Sequence, residues 1–164
     1  MADLIDHICE QWSRERPDLD STGFGIAGRL QVIGKRLGTR VEQALAPLGL
    51  SPWAFDVLAT LRRNGPPYDM TPTELSRATI LSSGAMTNRL DRLEKEGLVR
   101  RKPDPDDRRG CRIVLTDKGR KLADLGVAAR FDDAADIAGK LSVAEQKRLE
   151  SLLQKLLREL DEED

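Results

Sequence analysis

Between Asp3 and Leu160 the apolar positions recur mostly at three- and four-residue steps, the period of helices that bury one face. A first amphipathic stretch, residues 3–14, stops before Pro17, which a helix interior does not accommodate. A second, residues 23–45, places Ile26, Leu30, Ile33, Leu37, Val41, Ala44 and Leu45 on one stripe, and Pro47-Leu48-Gly49 ends it. Ser51-Pro52 reads as an N-cap followed by proline at the first helical position, opening a helix to about Arg63 that Gly65-Pro66-Pro67 closes. Thr71-Pro72-Thr73-Glu74 has the form of a capping box and starts a short helix ending near Thr79. Ser82 or Ser83 caps the next, which runs to Glu96 before Gly97.

The period changes after Gly97. Residues 98–102 and 112–115 read as extended, joined by the turn-forming run Pro103 to Gly110, which together predict a β-hairpin. Thr116 then caps a helix through the Ala-rich stretch to about Gly139. Ser142 to Glu145 is a second capping box, opening a last helix that carries Leu149, Leu152, Leu153, Leu156, Leu157 and Leu160 on one side. The predicted fold is mainly α with a small β-hairpin wing: a winged helix-turn-helix over 51–115, with helices at 1–47 and 117–164 that pair two copies, all in a single domain of 164 residues.

Charge gives this pattern a direction. The chain has a formal net charge of −1, which argues against bulk electrostatic attraction to nucleic acid. Its middle is nevertheless basic: residues 77–121 hold 13 Lys/Arg against 7 Asp/Glu, the footprint of a localised phosphate-contacting face. Helix 83–96 is the candidate reading element, since the second helix of such a motif enters the major groove. Ser82, Ser83, Thr87 and Asn88 lie in its N-terminal half and Arg92 beyond, while Ala85, Met86, Leu90 and Leu93 form the apolar side. Ser82 fits a cap as well as a DNA contact. At the hairpin tip, Asp107, Arg108 and Arg109 suit minor-groove insertion, an Arg projecting from a rigid loop with a neighbouring carboxylate to aim it.

Taken in order, Glu74-Leu75-Ser76, Ser83 to Glu94, Gly97-Leu98-Val99-Arg100-Arg101, Asp107-Arg108-Arg109 and Leu115-Thr116-Asp117-Lys118-Gly119 resemble the MarR (multiple antibiotic resistance regulator) family over nearly the whole chain. That resemblance implies a homodimer with interlocked terminal helices. It also implies a palindromic double-stranded DNA operator, and repression that a small, often anionic or phenolic effector relieves. The family's Asp-x-Arg wing signature falls on Asp107 and Arg109. An additional N-terminal helix and the set Trp12, Asp56, Arg89 and Arg101 resemble the urate-responsive branch, in which Trp, Asp and two Arg surround a planar purine anion. The chemistry is coherent: an aromatic face, a guanidinium fork and a carboxylate to accept ring N–H groups. The same residues also fit architecture, with Trp12 covering a dimer core, Asp56 and Arg89 ion-paired, and Arg101 on a phosphate. Arg100 competes with Arg101 for the pocket role.

The remaining chemistry is sparse. Cys9 and Cys111 are far apart with no metal spacing, and His7 stands alone, so neither a disulfide framework, a zinc site nor any other cofactor is expected. No Ser-His-Asp set or phosphate-cradling Gly loop points to an enzyme. Cys9 leaves open a redox-responsive regulator, and a winged helix without a DNA target leaves open a protein-interaction module. No window has the length and apolarity of a membrane span and the first residues lack a secretory pattern, so a cytoplasmic protein is expected.

Overall fold

The computed structural model describes residues 2–79, 86–105, 107 and 110–161. Seven helices and three strands are described there: α1 (Leu4–Glu15), α2 (Thr22–Leu45), α3 (Pro52–Arg63), β1 (Asp69–Met70), α4 (Pro72–Ala78), α5 (Met86–Lys95), β2 (Val99–Pro103), β3 (Cys111–Leu115), α6 (Asp117–Ala138) and α7 (Val143–Asp161), with a 3-10 turn at Ala46–Leu48. They fall into two compact units, Met1–Gln43 and Ala44–Asp164.

In the first unit, α1 begins at an Asp3–Asp6 capping box, each carboxylate accepting the other residue's backbone N–H at 2.9 and 2.8 Å. Arg29 of α2 donates to both carboxylates, from Nε to Asp3 at 2.9 Å and from Nη2 to Asp6. Ile5, 6% exposed, packs where Gly28 leaves room; a Cβ there would stand 3.1 Å from Ile5 Cδ1. Along the α2 stripe Ile26, Leu30, Ile33 and Leu37 are exposed, whereas Leu45 at its end is fully buried.

The core of the second unit joins α3, α4, α5, the sheet and the start of α6 through Leu58, Leu61, Leu75, Leu90, Leu93, Ile113 and Ala123, all essentially inaccessible. Each fully buried Leu is worth roughly 1.5–3 kcal/mol relative to exposure. The Thr71 box forms as the sequence predicts: Thr71 Oγ1 accepts the Glu74 N–H at 3.2 Å, and Glu74 Oε2 accepts the Thr71 N–H at 2.8 Å. Ser51 occupies the N-cap position of α3 in extended conformation, yet its side chain makes no capping bond; Pro52 alone opens that helix. Gly97 ends the α5 turn at φ +70, the left-handed geometry expected of it.

The wing is more than the predicted hairpin. β3 lies at the centre of a three-stranded antiparallel sheet ordered β1-β3-β2, with Arg101 opposite Ile113 and Asp69 opposite Val114. β1 is two residues long, too short for any alternation to register in the sequence. The last carbonyls after α5 are taken up by the start of α6. Thr116 Oγ1 donates to Gly97 O at 2.8 Å and Leu98 O at 3.0 Å, Thr116 N–H donates to Leu98 O at 3.1 Å, and Lys118 Nζ reaches Glu96 O at 2.7 Å. Gly119 sits so close that a Cβ would collide with the Leu98 carbonyl.

On α7 the predicted leucine face is entirely uncovered in the single chain, with Leu149, Leu152, Leu153, Leu156, Leu157 and Leu160 exposed. Among the described residues no single helix is long and apolar enough to cross a membrane.

Candidate nucleic-acid interface

The two helices α4 and α5 and the β2–β3 wing follow one another directly, and the core fixes which side of α5 is free. Met86, Leu90 and Leu93 are buried at 8%, 1% and 0% exposure, which turns Thr87 and Asn88 outward. Arg92 is also on the outer side, donating from Nε to Glu96 at 3.1 Å. Of the sequence-predicted reading residues, Thr87, Asn88 and Arg92 thus share an exposed face. Ser82, Ser83, Arg108 and Arg109 lie outside the described residues, as does Ala85 of the predicted apolar side. Asp107 is exposed, and its carbonyl accepts the Gly110 N–H at 2.9 Å.

Behind this face stands Trp53 of α3, half-buried, with the guanidinium of Arg89 5.8 Å and that of Arg92 5.6 Å from its ring centroid. Such cation–π contacts are worth about 0.5–1 kcal/mol at exposed sites and restrict where each Arg can point. Nothing in the sequence around Trp53 marks it as the partner of two guanidinium groups from another helix. Arg101 of β2 is committed to α5: its Nη2 donates to Asp91 at 2.6 Å, its Nη1 to Glu94, and its backbone N–H to Glu94 Oε1 at 2.9 Å. These carboxylates raise its basicity further, Asp91 most strongly. Arg100, its neighbour on the strand, is exposed.

A cleft of about 630 Å³ opens between α3 and α6, lined by the rings of Phe55 and Phe131 and by Asp56, Arg62, Arg63 and Arg130. Asp56 is 7% exposed there. Arg62 pairs with Asp124 at 2.7 Å and Arg130 with Asp133 at 2.5 Å. Arg89 and Arg101 do not line this cleft. Trp12 belongs to the first unit, 51% exposed on α1, and borders a smaller cleft with Leu19 and Phe24. Cys9 is half-buried with its thiol 3.9 Å from the Ser21 carbonyl. Among the described residues no group of His, Cys, Asp and Glu could hold a metal ion.

Residues 48–110, from the last residue of the 3-10 turn to the turn that precedes β3, match the model of the MarR family. The HTH-type transcriptional regulator PecS of Dickeya dadantii is 36% identical over 149 residues, 91% of this chain and 90% of PecS. Among solved structures, a cysteine-to-serine mutant of Escherichia coli MarR complexed with operator DNA superposes with a TM-score of 0.71 at 26% identity, covering 95% of this chain and 99% of that one. Bordetella bronchiseptica BpsR, whose DNA binding is regulated by 6-hydroxynicotinic acid, gives 0.70 at 25% identity over 80% of this chain and 91% of its own.

Proposed function

Because the chain belongs to the MarR family of transcriptional regulators, we propose that it is a cytoplasmic repressor that binds a palindromic operator as a homodimer and is released by a small anionic aromatic ligand such as urate. The observation that carries the DNA reading is the division of α5 into two faces. Met86, Leu90 and Leu93 lock one side into the core, so Thr87, Asn88 and Arg92 are held outward by packing rather than by chance of rotamer. The likeness to a MarR structure that holds operator DNA supports the same use of this face. In this reading Ser82, Ser83, Thr87 and Asn88 address base edges and nearby phosphates, Arg92 a phosphate, and Asp107, Arg108 and Arg109 the flanking minor groove.

Two-fold pairing is supported by the leucines of α7 and the outer stripe of α2, apolar faces that a single chain leaves in water. For the effector, our reading assigns Trp12, Asp56, Arg89 and Arg101 to the ligand, as a resemblance to the urate-responsive branch would imply. Support from this chain is partial: Asp56 is buried at the α3–α6 cleft, whereas Arg101 must leave Asp91 and Glu94 to reach a ligand. That exchange of partners would loosen β2 from α5 and is a ready route from ligand to lowered DNA affinity.

Fluorescence anisotropy against the DNA upstream of the gene tests the reading directly. Binding should weaken steeply with salt, Asn88→Ala should lose about tenfold in affinity with little change in salt slope, and urate should release the DNA. Equal binding to the palindrome and to unrelated DNA would overturn sequence-specific repression. A complex indifferent to urate, salicylate and related aromatic acids would overturn the effector assignment alone.

A further inference from the structure

The edge of the wing sheet carries a charged cluster that the reading face does not use. Arg112, on the central strand, donates from Nε at 2.9 Å and from Nη2 at 2.7 Å to the same oxygen of Asp69, and its Nη1 stands 3.8 Å from Oδ2 of Asp104. Side-chain exposures of 26%, 17% and 7% set the three into the surface. Their places along the chain matter more than the pairing itself. Asp69 lies two residues before Thr71, the N-cap of α4, and Asp104 opens the turn between β2 and β3. One guanidinium therefore ties the entrance of the first motif helix to the root of the wing.

The turn is closed on itself at that root. Asp104 N–H donates to Gly110 O at 3.1 Å, and Gly110 N–H donates to Asp107 O at 2.9 Å. A side chain at Gly110 would stand 3.1 Å from Asp107 Cβ and 3.2 Å from Asp104 Cβ, so the loop base is packed without slack. Backbone pairing alone gives little resistance on this side, because β1 contributes only two residue pairs to the sheet. A narrow ribbon of strands twists readily about its axis. A partly buried charge cluster adds little net stability compared with apolar packing, and its directional bonds are what distinguish it.

We propose that Arg112, held between Asp69 and Asp104, is a positioning residue for DNA reading: it sets the angle between wing and helix pair, so that the Asp107–Arg109 turn meets the minor groove while α5 occupies the major groove. The inference rests on the DNA-binding reading above. None of the three residues touches DNA in this scheme; they act through Arg109.

A double-mutant cycle separates this role from ordinary support of the fold. Arg109→Ala should weaken operator binding about tenfold and lower the salt slope by about one. Arg112→Met should do nearly the same, and the double variant should bind no worse than Arg109→Ala alone. The milder Asp104→Asn, which keeps the shape and the Asp69 pair, should show a smaller loss of the same kind with an unchanged melting temperature. Additive losses in the double variant, or wild-type affinity in both Arg112→Met and Asp104→Asn, would overturn the brace. Failure of the wild-type protein to bind the operator sinks the DNA reading and this inference together, whereas a binding wild type with additive losses sinks the inference alone.

Discussion

Glu94 holds Arg101 twice, through the backbone N–H at 2.9 Å and through the guanidinium. A helix residue thereby fixes both the position and the direction of a strand residue seven positions on. Asp91, one helical turn earlier, takes the other end of the same fork at 2.6 Å. Helix α5 and strand β2 are consequently coupled while Arg101 stays in place.

Replacing Arg101 by Met removes the cation and leaves two carboxylates side by side. The pairs are part-exposed, so the direct loss of stability is about 1 kcal/mol. The loss of operator affinity should be larger than that stability change accounts for, because the angle between α5 and β2 relaxes. Denaturant melts and anisotropy titrations on one preparation compare the two. An affinity that falls only as far as the folded fraction would remove the coupling role.

Thr60 is 1% exposed, and its hydroxyl has no hydrogen-bond partner among the described residues. An unsatisfied buried hydroxyl costs about 1–3 kcal/mol, and Val has nearly the same shape without it. Thr60→Val should raise stability by about 1 kcal/mol in urea unfolding. A lower midpoint would show that the hydroxyl has a use in the folded state.

Gly119→Ala tests the junction after the wing. The new methyl would meet the Leu98 carbonyl and stand 3.0 Å from Leu115 Cδ1, so α6 must back away from the sheet. Overpacking of this kind costs about 1–3 kcal/mol. Thermal melting should show it, and a variant as stable as the parent would mean that this contact yields freely.

Acid should detach the first helix before the rest unfolds. The carboxyls of Asp3 and Asp6 are held below their ordinary range, first because each accepts the other's backbone N–H and further because Arg29 lies beside them. A lowered folded value means the contribution is complete above the unfolded value of ~3.9 and is lost as pH falls through the lowered values. Trp12 emission in a Trp53→Phe background should shift in that window. Asp3→Asn should abolish or displace the step, and an identical titration in both proteins would exclude the capping box as its origin.

Most of the helices were legible because each announces its ends chemically. Thr71 with Glu74, Thr116 and Gly97 sit where the structure uses them. The α1 box escaped notice because an Asp-x-x-Asp pair lacks the usual Ser/Thr and Glu signature, and Ser51 misled because proline can open a helix without a side-chain bond. β1 has too few residues to show a period. What lies furthest from the sequence is pairing across elements. Nothing local distinguishes Arg101, tied to α5, from exposed Arg100, and nothing marks Arg112 as the partner of Asp69 43 residues away. Those choices are made by β-sheet register, which decides the face each side chain takes.

The three carbonyls of Glu96, Gly97 and Leu98 are all occupied by Thr116 or Lys118. A seam bonded at three consecutive peptide units resists bending, so in the dimer proposed above α6 and the lobe that carries α5 would turn together. In a two-fold assembly, a few degrees of swing at each long helix would then appear at the DNA as a changed separation between the two half-site readers. Operator spacing, rather than the strength of any one base contact, is the quantity such a molecule would adjust.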